Sequence, residues 1–229
     1  RAVQDVEKAG RTRRPFFLYF ALTSPHHPVL PTAEFRGKST AGEYGDFVVQ
    51  TDWTVGQVLA ALDRAGLARD PLVIFTSDNG PEITRMNNLG TKNVMPVGAY
   101  DRVQRYGHAS MGPLRGIKYE AWEGGHRVPF IVRWPGRIAA GAVTGELACL
   151  TDLFATCAAT VGAETPAGAA GDSWNLLPVL LSRQGGRQPH SPSFWPSSSP
   201  RREGRSQRPL LIPWHRGHES CPRKRRIPR

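Results

Sequence analysis

"LVIFTSDNGPE", residues 72–82, joins an apolar run to a polar end, and the rest of the fold can be worked out from it. The run from Leu72 to Phe75 predicts a buried strand. The strand must stop at the Thr-Ser-Asp-Asn-Gly-Pro that follows, which places Asp78 and Asn79 side by side at its C-terminal end. Asn-Gly is also a strong turn signal. Taken alone, the stretch is either a plain turn or a strand that delivers oxygen ligands to a site.

Apolar runs and helical periodicity alternate on both sides of this strand. The pattern predicts strands at 15–22, 71–80 and 128–136 and helices at 46–67 and 151–163. Gly66 is placed as the C-cap of the first helix, with Thr151 as N-cap of the second and Gly162 near its end. Alternation of this kind indicates an α/β layered fold. Residues 81–127 show little periodicity, and a loop of that length in a compact domain is usually functional.

The positive charge is concentrated in one part of the chain. The sequence has 229 residues and a net charge of +11. Residues 183–229 hold 12 Arg/Lys and 2 Glu, a net of +10, so the remainder carries 18 Arg/Lys against 17 Asp/Glu, a net of +1. The tail is rich in Pro, Ser and Arg and cannot bury enough apolar surface to offset its ordering entropy. We therefore predict a structured domain at 1–181 and a disordered basic tail at 182–229.

Neither the termini nor the cysteines indicate a further function. The chain begins with Arg1 and is interpreted as an internal fragment, and no apolar run approaches the ~20 residues that cross a bilayer. The three cysteines make no metal spacing and no disulfide framework. Cys149 and Cys157 stand among apolar residues and are predicted to be buried thiols.

Three polar clusters follow the predicted strands, where ligands collect in open α/β sheets. The first is Pro25-His26-His27-Pro28, which could also be an ordinary exposed loop. The second is Asp78-Asn79, whose carboxylate and amide suit Ca²⁺ or Mg²⁺ rather than Zn²⁺. Two adjacent ligands are too few for such an ion, so others would have to come from elsewhere.

The third cluster is "LRGIKYEAWEGGHRVPF", residues 114–130, which is either a basic loop with a glycine bend or an anion site. Lys118 offers a compact charge and Arg127 a bidentate fork. Gly124 and Gly125 would let the backbone approach a ligand closely.

Taken together and in this order, the three segments closely resemble the type I sulfatase family, the arylsulfatases and their glycan-sulfatase relatives. The resemblance covers about residues 12–181 and includes the helix "TDLFATCAATVGA" after the last strand. It implies an alkaline-phosphatase-like α/β/α sandwich with a mixed sheet, here incomplete because the N-terminal portion is missing. It also implies hydrolysis of sulfate monoesters with a divalent cation, usually Ca²⁺, and a formylglycine made from Cys or Ser.

The resemblance assigns roles residue by residue. Asp78 and Asn79 look like two of the cation ligands, and His26 looks like the histidine that contacts the sulfate. Lys118 looks like the lysine that holds the sulfate and the leaving oxygen. His126 and Arg127 are weaker candidates, for substrate contact or a structural ion pair. The implied partners are a sulfated small molecule or glycan and a formylglycine-generating enzyme, and the implied location is periplasmic or secreted.

Two parts of the family pattern are absent. No cysteine stands in a Cys/Ser-x-Pro/Ala-x-Arg motif, and the early Asp-Asp metal pair is missing. The basic tail replaces the usual small C-terminal domain. Other hypotheses therefore stay open: an inactive remnant that binds sulfated glycans or other anions, or a phosphatase or phosphonate hydrolase of the same superfamily. Specific nucleic-acid binding is not predicted, because no recognition motif accompanies the charge of the tail.

Overall fold

The computed structural model describes residues 1–82, 99–166 and 168–181, with the backbone only at 99–101. In chain order these residues form α1 (Ala2–Thr12), a short 3₁₀ helix (Ala33–Phe35), α2 (Gly42–Arg64), β1 (Val73–Thr76), α3 (Ala99–Tyr106), α4 (Glu123–His126), β2 (Phe130–Arg133), α5 (Asp152–Val161) and α6 (Leu177–Leu181). No helix in these ranges is long and apolar enough to cross a membrane. The predicted disordered tail, 182–229, lies outside the described residues.

Two of the three predicted strands form, and they pair with each other. β1 and β2 run antiparallel, with Val73 opposite Arg133 and Thr76 opposite Phe130. They lie within the predicted strands 71–80 and 128–136. Together with the helices they confirm the α/β class, and this antiparallel pair is the whole sheet in the described part of the chain.

The strand predicted at 15–22 is wrong. The segment is irregular, and Phe17 and Tyr19 are 82% and 83% exposed. Only Leu18, between them, packs on the core made by α1 and α2. A strand needs a neighbour for its backbone N–H and C=O groups, and no strand in the described ranges pairs with this run. None of residues 15–22 is buried, and only Leu18 and Leu22 are partly covered.

The core lies between α1 and α2. Val6 and Ala9 on α1 pack with Ala61 and Leu62 on α2, and Leu67 completes the buried cluster. The sequence pattern had not predicted α1.

The predicted end of α2 is confirmed in detail. Gly66 has φ 67°, and Leu67 N–H donates to Leu62 O at 2.9 Å. This is the glycine C-cap with its hydrophobic contact, since Leu67 is buried against Leu62. The left-handed Gly66 is therefore what stops the helix and returns the chain toward β1.

α5 begins and ends where the sequence placed it, but a different residue holds its start. Thr151 occupies the N-cap position without a side-chain cap bond, while Gly162 ends the helix with φ 71°. The fully buried Asp152 carboxylate instead accepts N–H bonds from Cys149 at 2.7 Å and Trp174 at 2.9 Å. Asp152 thus fixes the chain before and after α5.

Two further expectations are wrong. Residues 99–106, inside the stretch with little periodicity, form α3. Cys149 is exposed and Cys157 only half-buried, so neither is the buried thiol that its apolar neighbours indicated. Burial still raises the pKa of the Cys157 thiol. Both errors come from local composition, which does not say which face of an apolar segment another element covers.

Candidate active site

Lys118 and His26 lie in contact although 92 residues separate them in the sequence. Lys118 Nζ is 3.3 Å from His26 Nε2. The His26 ring is 57% exposed, so the pair opens to solvent. The structure thus brings together the two residues that the sequence analysis placed in catalytic roles.

The histidine loop is held by α2. His26 N–H donates to Thr23 O at 2.9 Å, which closes a turn. The hydroxyl groups of Ser24 and Thr51 hydrogen-bond at 2.9 Å. Thr51 is buried in α2 and also donates to Phe47 O at 2.8 Å. The longest helix of the described residues therefore anchors the loop from which His26 projects.

The loop that carries Lys118 is joined to the end of β1 by main-chain bonds. Gly80 N–H donates to Gly125 O at 2.8 Å, and Lys118 N–H donates to Pro81 O at 2.9 Å. A Cβ at Gly80 would overlap Gly124 O, so only glycine allows this approach. The strand end that carries Asp78 and Asn79 thus also positions Lys118.

Gly124 and Gly125 do permit a close approach, but to the protein's own backbone rather than to a ligand. Both are buried in α4. A Cβ on Gly124 would meet Gly116 O, and one on Gly125 would meet Glu120 O. The predicted glycine bend is instead the place where α4 packs against the Lys118 loop.

Tyr119, next to Lys118, has an unusual backbone conformation. Glu120 N–H donates to Ile117 O at 3.0 Å, which makes a turn of residues 117–120. Tyr119 is the third residue of that turn and has φ 74°, a value that glycine usually supplies. The Glu120 carboxylate accepts the Ile117 N–H at 3.2 Å and reinforces the turn. The Tyr119 side chain is 80% exposed beside the lysine.

His126 and Arg127 stand apart from this pair. Both are exposed at the end of α4, and no contact with His26 or Lys118 is found among the described residues. Arg127 Nη1 donates to Glu123 Oε2 at 2.8 Å, an ion pair one helical turn apart. Arg127 therefore forms a structural ion pair, one of the two roles that the sequence analysis offered. Contact with substrate stays a prediction for both His126 and Arg127.

Two residues that the sequence analysis gave no role join the site. Glu82 Oε2 is 3.5 Å from His26 Nε2 and 3.8 Å from His27 Nε2. His27 is only 22% exposed, so it is half-buried rather than exposed as in the ordinary-loop alternative. Burial lowers the pKa of His27, and Glu82 opposes that shift. Glu82 closes the stretch quoted at the outset, but nothing in its spacing showed that it would reach the histidine loop.

Comparison with known families gives this geometry a context. The Sulfatase family model matches residues 2–163. The chain belongs to the sulfatase family.

Known sulfatases match over most of this chain. It is 41% identical over 167 residues to the steryl-sulfatase of Mus musculus, covering 73% of this chain and 24% of the relative. It is 40% identical over 169 residues to the N-acetylgalactosamine-6-O-sulfatase of Bacteroides thetaiotaomicron, covering 74% of this chain and 31% of the relative. The chain thus spans about a quarter to a third of the length of these curated relatives.

A solved sulfatase structure extends the likeness to the fold. The PsFucS1 sulfatase from Pseudoalteromonas sp. superposes with a TM-score of 0.66 at 30% identity, covering 82% of this chain and 34% of the other. Likeness to sulfatase structures confirms the predicted alkaline-phosphatase-like α/β fold, present here in part with a small sheet. The sulfatase family generally depends on calcium and on formylglycine.

The strand end of this sulfatase chain offers donors of the type that calcium takes. Asp78 presents an exposed carboxylate, and the half-buried Asn79 donates its amide N–H to Gly80 O at 2.9 Å. That bond uses the amide nitrogen and leaves the oxygen Oδ1 as the donor for a cation. No group of three or more His, Cys, Asp or Glu suited to a metal occurs in the ranges that the structure describes. Asp78 and Asn79 therefore fit a hard cation as part of a larger ligand set.

Proposed function

We propose that this chain supplies the sulfate-holding part of a sulfatase active site, in a protein that hydrolyses sulfate monoesters of aryl or glycan substrates. The observation that carries the proposal is the 3.3 Å contact between Lys118 Nζ and His26 Nε2. Lys118 is bonded through its N–H to Pro81, directly after the strand end that carries Asp78 and Asn79. A lysine and an imidazole beside a cation-ligand pair suit an anion such as a sulfate ester better than a neutral ligand.

The residues divide the work as follows. Lys118 holds a sulfate oxygen with its compact positive charge. His26, whose Nε2 faces the lysine, gives a proton to the leaving oxygen as the S–O bond breaks. Asp78 and Asn79 would hold Ca²⁺, or Mg²⁺ in its place, which when bound neutralises sulfate charge. His126 and Arg127 contact the organic part of the substrate if it extends toward α4.

None of the three cysteines lies in the formylglycine motif that would supply the nucleophile. We expect the full-length parent to carry it, to be modified by a formylglycine-generating enzyme, and to act in the periplasm or outside the cell. The Lys118–His26 contact would also serve a second candidate function, an inactive remnant that binds sulfated glycans or other anions without cleaving them.

Binding of inorganic sulfate to the 229-residue chain tests the anion site directly. We expect saturable binding by calorimetry that Lys118→Ala weakens by about tenfold or more, since a hydrogen bond to a charged group contributes roughly 1.5–3 kcal/mol. Lys38→Ala, at an exposed lysine elsewhere, is the control with the same charge change. Equal sulfate affinity in the two variants would contradict a site at Lys118.

Turnover of a chromogenic aryl sulfate separates the two candidate functions. Since none of its cysteines lies in the formylglycine motif, the chain alone should show no useful rate, whereas the full-length parent coexpressed with a formylglycine-generating enzyme should be active. In that parent, Lys118→Ala and His26→Ala should each lower kcat by about 10²-fold or more, the range for loss of a transition-state charge stabiliser. Inactivity of a correctly modified parent would favour the anion-binding remnant.

A further inference from the structure

Four side chains from three separate segments, one of them the His26 imidazole, meet in one cluster. His26 Nε2 lies 3.3 Å from Lys118 Nζ and 3.5 Å from Glu82 Oε2. The same carboxylate oxygen is 3.8 Å from His27 Nε2. Glu82 is 24% exposed, so water screens it only in part. Two histidines thus share one half-buried carboxylate beside a lysine. An arrangement of this kind is more specific than a single contact between exposed side chains.

The other ring nitrogen of His26 fixes its tautomer. His26 Nδ1 is 2.8 Å from the carbonyl oxygen of His27. A carbonyl oxygen only accepts hydrogen bonds, so Nδ1 must carry a proton. In the neutral ring, Nε2 is therefore the acceptor, and Lys118 donates to it. In the protonated ring, Nε2–H is a donor that has the Glu82 carboxylate within reach.

The Glu82 carboxylate faces the same ring nitrogen of His26 that faces the lysine. Two positive groups 3.3 Å apart repel each other. The negative charge of Glu82, at a similar distance from the same nitrogen, offsets that repulsion. Without it, the general acid of the proposed reaction would have to keep its proton next to an uncompensated cation.

We propose that Glu82 is a positioning residue whose carboxylate offsets the positive charge where His26 and Lys118 meet, so that His26 can deliver a proton to the leaving oxygen. The proposal rests on the proposed sulfatase function. As the nucleophile of the full-length parent bonds to sulfur and the bond from sulfur to the leaving oxygen breaks, the proton on Nε2 passes to the leaving oxygen and His26 returns to the neutral Nδ1–H ring. Glu82 takes no part in covalent change.

The effect of removing the negative charge of Glu82 on sulfate affinity distinguishes the proposed role from a merely structural one. A carboxylate next to an anion site opposes sulfate, so its removal should not weaken sulfate binding. A merely structural Glu82 would have the opposite effect, since loss of its contacts would disorder the histidine loop and lower the affinity for sulfate.

His27 supplies a readout that does not depend on sulfate. Its pKa is lowered chiefly by burial and further by His26, Arg102 and Lys118, whereas Glu82 raises it. Replacing Glu82 by Gln removes that one opposing influence. The pKa of His27 should therefore fall further in this variant.

The experiment compares ¹⁵N-labelled wild type, Glu82→Gln, Glu82→Asp and Glu34→Gln by imidazole ¹H–¹⁵N correlation across a pH series, with inorganic sulfate added afterwards. Glu34 is an exposed carboxylate on the 3₁₀ helix and gives the same charge change away from the histidines. We expect a lower His27 pKa in Glu82→Gln, an intermediate value in Glu82→Asp and no change in Glu34→Gln. The neutral His26 ring should carry its proton on Nδ1 in wild type.

Sulfate should bind Glu82→Gln at least as tightly as wild type. An unchanged His27 pKa in Glu82→Gln, weaker sulfate binding by that variant, or a wild-type His26 protonated on Nε2 alone would each overturn the proposal. If Glu82→Gln fails to fold, Glu82→Asp and the wild-type tautomer still decide it. A shifted His27 with no sulfate binding by wild type would keep the role of Glu82 in organising the histidines and reject the sulfate site instead.

Discussion

The main-chain hydrogen bond between Gly80 and Gly125 leads to a specific prediction for the stability of Gly80→Ala. In Gly80→Ala, the new methyl group would overlap Gly124 O, which is main chain and cannot rotate away. Either the strand end or α4 must move, and the Gly80 N–H···O Gly125 bond of 2.8 Å is then stretched. Overpacking costs about 1–3 kcal/mol and a lost hydrogen bond about 0.5–1.5 kcal/mol, so the free energy of unfolding should fall by roughly 2–4 kcal/mol.

Urea denaturation followed by circular dichroism at 222 nm measures this change. With a slope of about 2 kcal/mol/M, the midpoint should fall by about 1–2 M. Gly56→Ala is the matched control, because Gly56 lies inside α2 with open space around its Cα. There the same substitution should raise stability by about 0.5–1 kcal/mol, since alanine favours a helix. A loss below about 0.5 kcal/mol in Gly80→Ala, the scale of ordinary surface changes, would refute the steric reasoning.

Three further predictions concern other parts of the chain. Asp152→Ala should lower the free energy of unfolding by about 2–4 kcal/mol, because two N–H groups lose a buried charged acceptor, and urea titration against Asp172→Ala, an exposed position, checks it. Tyr119→Gly should raise stability by up to about 1 kcal/mol by relieving φ 74°, and a lower urea midpoint would contradict the assigned turn. Trimming the chain after Leu181 should leave the thermal transition nearly unchanged, whereas a fall of many degrees would show that residues 182–229 pack on the domain.

The elements predicted correctly are those whose signals are local. Gly66 ends α2 and Gly162 ends α5 because a left-handed residue stops a helix whatever surrounds it. The apolar run at Leu72 to Phe75 yields the strand Val73–Thr76 because it has a partner in β2. Residues 15–22 are also apolar, but no strand in the described residues pairs with them. Apolar composition does not show whether a partner strand is present.

The site divides in the same way. Asp78, Asn79, His26 and Lys118 could be proposed from the sequence because three short motifs occur in an order typical of one family. Glu82 and the half-buried state of His27 could not, since both depend on how the histidine loop folds back over the end of β1. A contact between segments more than 50 residues apart leaves no periodicity in either one.

The main-chain joint between β1 and the Lys118 loop also bears on how such a protein can diversify. Lys118 is placed by bonds between peptide groups, through Pro81 and through Gly80 to Gly125, and these do not depend on the side chains of the loop. Exposed neighbours such as Tyr119 and Trp122 can then be exchanged without removing these main-chain bonds. Substitutions at such exposed positions would therefore change the surroundings of the lysine, while the buried glycines keep its main chain in place.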